Sequence, residues 1–352
     1  MLNRFFKKFS RDLGIDLGTT NTLIFQKDRG IVINEPSVVA INNRTDQILA
    51  VGREAKKMIG KNPAHITISK PIVHGIISDF EVAEKMLKYF IDKIHQEAIS
   101  FTPRPRVIIG IPMELTEVER KAVEDVVLSA GAREVYLVEQ VMALAIGVRL
   151  PVEAASGNMV VDIGGGTTEI AIISLDGIVT KKTLSSGGDE LNQEIVQFAR
   201  DEFNLLIGER IAQEVKKKIG SAIELKDPLE MKIQGRDLLT GLPKEVKISD
   251  TQVRHTLSRP LKTIIENIKI TLENAPAELV PDIYEKGIIL TGGGSLLKGI
   301  DKLIAKLVQI PIQVADDPLT CVVRGAGMLL ENEDLLKEVV IPSTTKAKIS
   351  IR

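Results

Sequence analysis

The stretches Asp16-Leu17-Gly18-Thr19-Thr20-Asn21 and Asp162-Ile163-Gly164-Gly165-Gly166-Thr167-Thr168 carry one pattern twice. Each follows an apolar run and precedes another, which reads as strand, Asp-x-Gly turn, strand. The echo extends further: Ile15-Asp16-Leu17-Gly18 recurs as Val161-Asp162-Ile163-Gly164 and, after one inserted residue, Gly30-Ile31-Val32 recurs as Gly177-Ile178-Val179. The chain therefore reads as two halves related by duplication. Two related halves imply a cleft, and clefts between domains are where ligands usually bind.

Outward from these turns, short apolar runs alternate with helical patterns, which predicts an α/β architecture of two duplicated domains, each a central sheet flanked by helices. Residues 13–15 and 22–26 read as strands, and 81–100 as a helix with Val82, Met86, Tyr89, Phe90 and Ile94 near helical spacing. Arg106–Ile111 reads as a buried strand. Thr116 and Glu119 then form a capping-box pattern that opens a helix running to Ala130, before Gly131. Domain I is expected over 1–145 and 319–352, with a small insertion at about 34–74. Domain II is expected over 146–318, with a charge-rich insertion at about 185–249 that reads as helical, with a Gly-Leu-Pro turn.

Composition excludes several classes. Lys and Arg number 46 against 47 Asp and Glu, a formal net charge of -1, so no global field favours nucleic acid as a partner. Hydrophobic residues at 44% and charged ones at 26% are ordinary for a globular protein. The single cysteine, Cys321, excludes an internal disulfide framework and a Cys-based zinc site. No run approaches the ~18 apolar residues of a membrane span, and charges interrupt the N-terminus where a secretory signal would be apolar. The expected location is cytoplasmic. His65, His74, His95 and His255 stand far apart without metal-ligand spacing and read as ordinary surface or core residues.

The turns can do chemistry. A tight turn between strands presents backbone N–H groups, an anion cradle, and an Asp at the strand end can hold a divalent cation. Two such turns facing each other would grip a polyphosphate, with Asp16 and Asp162 on the metal. A third cluster, Thr291-Gly292-Gly293-Gly294-Ser295-Leu296, follows the apolar run 288–290 and precedes a helical pattern from about Leu297, the geometry that sets backbone donors beside a nucleotide. GxxxxGK[ST], GxGxxG and GxSxG are all missing, which disfavours a Walker P-loop, a Rossmann site and a hydrolase elbow.

With three glycine turns in this order, the chain resembles the actin, heat-shock chaperone and sugar kinase superfamily of ATPases, and within it the MreB family of bacterial actins. The resemblance rests on Ile15 to Thr22, Val160 to Glu169, Ile219-Gly220-Ser221-Ala222, Leu290 to Gly294 and Asp317-Pro318-Leu319-Thr320-Cys321-Val322. It implies an actin-like fold with ATP or ADP and Mg²⁺ in the interdomain cleft. It implies phosphate contacts from Gly18, Thr19, Thr20 and Asn21 and from Gly164, Gly165, Gly166 and Thr167. Gln213, Glu214 and Lys216 would sit by adenine and ribose, with Gly292, Gly293, Gly294, Ser295 and Leu296 closing the pocket. Where the family usually carries Glu-Glu-Pro, this chain has Glu139-Gln140-Val141. An amide can position water but cannot take its proton, so slow ATP turnover is expected, with Gln140 and Thr167 placing the water and Glu139 as a substitute base. A site that only binds nucleotide, as a switch, is the alternative.

Three of the nine phenylalanines lie in the first ten residues. On a helix Leu2, Phe5, Phe6 and Phe9 share one face, while Arg4, Lys7, Lys8 and Arg11 precede the first acidic residue, the pattern of a helix lying on an anionic membrane. A helix packed on the protein's own core is the competing reading. Ile99 and Phe101 would form a nearby hydrophobic loop. The resemblance implies a homopolymer filament at the inner face of the cytoplasmic membrane that directs cell-wall synthesis to maintain rod shape. It implies RodZ, MreC and MreD as membrane partners, and no nucleic acid. A small-molecule kinase of the same superfamily would need a catalytic Asp facing an acceptor pocket, and none is assignable. A plasmid-segregating filament would need a DNA-bound adaptor. A chaperone-type ATPase would need a substrate domain after Leu330, where little chain follows.

Overall fold

The computed structural model describes residues 12–96 and 104–342, divided into two units. The membrane candidates Leu2, Phe5, Phe6, Phe9, Ile99 and Phe101 lie outside the described residues. The first unit takes residues up to 154, 174–178 and 320 onward; the second takes 155–173 and 179–319.

In the first unit, strands Leu13–Leu17, Asn21–Gln26 and Gly30–Pro36 form an antiparallel meander. Arg106–Ile111 and then Glu134–Glu139 add in parallel beyond Leu13–Leu17, and Val340–Ile341 closes that edge antiparallel. The strand Arg106–Ile111 is buried along its whole length, as a central strand covered on both faces must be. Leu13, Ile15, Leu17, Val107, Ile109 and Ile111 turn to one face, where they share a core with the helices Phe80–Gln96 and Glu117–Ser129. On the other face lies Gly14, where a Cβ would come within 2.9 Å of Ala326 on the helix Cys321–Glu331. The capping box of Thr116 and Glu119 forms as expected, with Glu119 N–H donating to Thr116 Oγ1 at 3.3 Å. Within the insertion, Val39–Asn42 is flanked by Gln47–Val51 and Ile66–Ser69, and the helix Arg53–Met58 buries Ala55 against Val38 and Ala40.

The second unit repeats the order. Asn158–Ile163, Thr168–Ser174 and Gly177–Leu184 form the meander, and Ile288–Thr291 and Ile312–Val314 follow in parallel beyond the first strand. Even the register repeats: Asp16 pairs with Leu23 and Leu17 with Thr22, while Asp162 pairs with Glu169 and Ile163 with Thr168. The duplication read from the echo is thus written in the hydrogen-bond ladder of each sheet.

Two sequence expectations are corrected here. The region read as helical at 185–249 contains helices Gly188–Phe203 and Glu209–Ile219 but also a hairpin, Glu230–Asp237 against Pro243–Ser249. Its residues alternate, with Met231 and Ile233 inward and Glu230, Lys232 and Gln234 outward, a strand period hidden by the charge density. The helix expected near Leu297 begins at Ile300, after a single 3-10 turn Gly293–Leu296.

The helices Gln140–Gly147 and Cys321–Glu331 cross at contact distance. A Cβ on Gly325 would overlap the Ala143 carbonyl oxygen and lie 3.0 Å from the Gly147 nitrogen. Overpacking of this kind costs about 1–3 kcal/mol or more. Gly325→Ala is therefore expected to lower the unfolding free energy in a urea titration by that amount, with the midpoint falling accordingly; an unchanged midpoint would mean the crossing yields freely.

Candidate functional site

In the first unit the turn is closed by the Gly18 N–H, which donates to the Asn21 carbonyl at 3.1 Å. Ser37 stands behind it: its hydroxyl donates to the Gly18 carbonyl at 2.6 Å and its N–H to the Thr20 carbonyl at 3.0 Å. Thr19 Oγ1 accepts from the Gly75 N–H at 2.9 Å, and the Asn21 amide approaches Asn34 Oδ1 at 3.4 Å. Asp16 ends the strand before the turn, half-buried. Gln140, the first residue of its helix and 9% exposed, donates from Nε2 to Asp16 Oδ1 at 3.3 Å. Glu139 precedes that helix with no capping bond from its side chain. The first unit therefore brings Asp16, the Gly18–Asn21 turn and Gln140 to one end of its sheet.

In the second unit the Gly164 N–H donates to the Thr167 carbonyl at 2.8 Å, closing the equivalent turn. Here the helix Gly188–Phe203 backs it, with Gly188 N–H donating to the Gly164 carbonyl at 2.9 Å and Asp189 N–H to the Gly165 carbonyl at 2.8 Å. A Cβ on Gly187 would lie 2.8 Å from both carbonyl oxygens, so the contact requires glycine. Sequence reasoning missed both supports. Their only signals are Gly187-Gly188 at the start of a helix and the Pro36-Ser37 step that ends a strand.

Asp162 accepts from Thr291 Oγ1 at 2.9 Å, on the neighbouring parallel strand. The third glycine cluster packs on this strand end. Gly292 has φ 76°, and a Cβ there would lie 2.5 Å from Asp162 Oδ1 and overlap the Ile163 carbonyl oxygen. Ser295 donates its hydroxyl to the Gly292 carbonyl at 2.7 Å, bracing the loop, while Gly293 and Leu296 are exposed and Gly294 is buried against Ile163. Lys216 departs from its neighbours: Lys217 and Lys218 are exposed, whereas Lys216 turns inward and donates to the Gly188 carbonyl at 2.5 Å. Gln213 and Glu214 are half-buried on the same helix, Glu214 within 3.8 Å of Lys218.

Burial moves Lys216 and Asp162 toward neutrality. The Lys216 ammonium is lowered to about 8, chiefly by desolvation and against the pull of Asp189. The Asp162 carboxyl, enclosed although the residue keeps some exposure, is raised to about 6 by desolvation, with Thr291 opposing. Among the described residues no group of three or more His, Cys, Asp or Glu side chains could hold a metal ion. Single carboxylates next to phosphate cradles suit Mg²⁺, which keeps waters and binds through one or two carboxylates plus phosphates.

Residues 10–338 match the MreB/Mbl protein family. The cell shape-determining protein MreB of Escherichia coli is 45% identical over 339 residues, which cover 95% of this chain and 97% of that one. The cell shape-determining protein Mbl of Bacillus subtilis is 43% identical over 328 residues, 93% and 98% of the two chains. Among solved structures, MreB5 of Spiroplasma citri bound to ADP superposes with a TM-score of 0.88 at 35% identity, covering 94% of this chain and 98% of that one. The same protein bound to AMPPNP gives 0.87. MamK in its double helical filament, at 21% identity and a TM-score of 0.75, shares the fold.

The raised Asp162 fixes a pH dependence. Between 3.8 and about 6 the folded chain binds more protons at this group than the unfolded chain, so its contribution to stability falls as pH rises through that window. In EDTA without nucleotide at pH 7.5, Asp162→Asn should raise the thermal midpoint on the order of 2–4 °C. The gain should shrink as pH falls through that window and vanish only below 3.8, and a gain that keeps its full size down to pH 4.5 would exclude ionisation as its cause.

Proposed function

The chain belongs to the MreB/Mbl protein family and has its actin-like fold; from that premise we propose how this cell shape-determining cytoskeletal protein uses its two turns. Each turn takes phosphate oxygens of ATP or ADP on backbone N–H groups. The supporting observation is that the Gly18 and Gly164 carbonyls are both held from behind. Relatives of the same fold bind ADP and AMPPNP. Asp16 and Asp162 would hold Mg²⁺, which supplies charge neutralisation at the phosphates when bound. Lys216 sets positive charge behind the second turn, and Gly292 to Leu296 line the strand end beside Asp162.

Gln140 orients the attacking water. A carboxylate can only accept, so the amide nitrogen must face Asp16, which leaves Oε1 to accept a hydrogen from water. Without a base at this position the water is placed and not deprotonated, so turnover is slow. Thr167 at the second turn completes the placement, and Glu139 is the one carboxylate beside Gln140 in the chain. ATP favours an assembly-competent conformer and hydrolysis loosens it. The product is a homopolymer at the inner face of the cytoplasmic membrane that guides cell-wall synthesis, with RodZ, MreC and MreD as partners by family resemblance.

Among the described residues no helix is long and apolar enough to cross a membrane. Attachment through Leu2, Phe5, Phe6 and Phe9 would instead be peripheral, aided by Ile99 and Phe101. One such foot is marginal, because each large apolar side chain contributes roughly 1.5–3 kcal/mol against an ordering cost of about 1–2 kcal/mol per residue. Repetition along a filament makes it firm, so assembly and membrane binding are coupled.

Two measurements test this reading. Gln140→Ala should lower ATP turnover about tenfold or more while ATP affinity changes less than threefold; unchanged turnover removes Gln140 from the chemistry. In sedimentation with ATP-Mg²⁺ and anionic vesicles, the intact chain should pellet with the vesicles, and a chain lacking residues 1–11 should assemble without them. Failure of both forms to assemble or bind under any nucleotide condition defeats the filament reading.

A further inference from the structure

Two hydroxyls behind the first turn form a one-way chain. Ser37 Oγ lies 2.6 Å from the Gly18 carbonyl and 2.9 Å from Thr22 Oγ1, and both side chains belong to residues with 0% exposure. A serine hydroxyl has one proton and a carbonyl only accepts, so that proton goes to Gly18 and Thr22 must donate to Ser37. The Ser37 N–H meanwhile holds the Thr20 carbonyl at 3.0 Å. The peptide bond is planar and trans, so a Gly18 carbonyl drawn toward Ser37 aims the Thr19 N–H the opposite way.

The second unit meets the same demand with main chain alone. The Gly164 and Gly165 carbonyls accept from the Gly188 and Asp189 N–H groups, which aims the Gly165 and Gly166 N–H groups away from that helix. Thr168, the counterpart of Thr22 in the repeat, donates to the Ser186 carbonyl at 2.8 Å and holds no carbonyl of the turn. The carbonyl of the turn's first glycine, held by a backbone donor at Gly164, is therefore held by a hydroxyl at Gly18.

We propose that Ser37 is a positioning residue for phosphate recognition: its hydroxyl sets the direction of the Thr19 N–H and thereby the affinity of the first turn for the nucleotide phosphates, without touching them. This rests on the reading that the turn binds nucleotide phosphates. Ser37 also leads straight into the insertion strand Val39–Asn42, and the adjoining Val38 carbonyl accepts from Gly52 N–H at 2.8 Å. The placement of the insertion and the aim of the donor are mechanically joined.

The test is calorimetric titration of the full chain with ATP-Mg²⁺ and, separately, with adenosine, for wild type, Ser37→Ala and Thr168→Val. Both variants delete one fully buried hydroxyl and should lose comparable thermal stability. Ser37→Ala should lose ATP affinity about tenfold, the equivalent of ~1.4 kcal/mol, with adenosine affinity within twofold of wild type. Thr168→Val should stay within twofold for both ligands. Ser37→Cys, similar in shape with a weak donor, should lose threefold or more and carries the test if Ser37→Ala does not fold. ATP affinity unchanged in the Ser37 variants, an equal loss in Thr168→Val, or an equal loss for adenosine overturns the proposal. A wild-type chain that binds no ATP refutes the underlying reading instead.

Discussion

A buried carbonyl must accept a hydrogen bond, and the side from which it accepts fixes where the next N–H points. Both turns of this chain obey that constraint at the end of a central strand. Leu13–Leu17 and Asn158–Ile163 are each paired on two sides, antiparallel to a hairpin partner and parallel to a crossover neighbour. Their registers cannot slip without turning apolar residues to the wrong face. A turn hung on such a strand starts from a fixed place, and the donors behind it fix its direction. The phosphate-binding reading depends on that sequence of restraints more than on any single side chain.

Close packing carries the restraint to Gln140. All eight residues of its helix are buried, so the helix has no polar face and must be enclosed by its neighbours. Gly147 and Gly325 admit the helix Cys321–Glu331 to backbone contact, and Gly110 leaves room below. A Cβ on Gly110 would come within 3.2 Å of Gln140 Cγ and 2.9 Å of Val322 Cγ1. The reach of the Gln140 amide to Asp16 is thus framed by three residues without side chains, one of which, Gly110, is the register partner of Asp16 on the adjacent strand. Interiors transmit such steric demands because they are packed like crystals.

What could be read in the sequence follows from range. The paired Asp-x-Gly turns, the capping box at Thr116 and the buried strand Arg106–Ile111 are local patterns, each determined by residues within a few positions, and the structure reproduces them. Ser37 was not legible, because its role depends on a carbonyl distant in the chain that only the folded meander brings near. Lys216 is set apart from Lys217 and Lys218 only by the family resemblance, and its turn toward the Gly188 carbonyl depends on how the helix Glu209–Ile219 packs. The hairpin at 230–249 was hidden because its outward residues are mostly charged, and charge density masks a period of two.

Electrostatics in the second unit argue for a ligand of two signs. Asp162 is enclosed and accepts a hydrogen bond from the neutral Thr291 hydroxyl, while Lys216 is enclosed and donates one to a neutral carbonyl. Each group is pushed toward its uncharged form, so each carries a desolvation cost that the fold leaves partly uncompensated. A folded chain gains nothing from such an arrangement on its own, and replacing both groups with apolar ones would relieve it. A cation by the carboxylate and an anion by the glycine turn that Lys216 backs would relieve both at once. Under the proposed function a metal-bound polyphosphate would supply the two charges together, and this desolvation cost would favour the paired ligand over either ion alone.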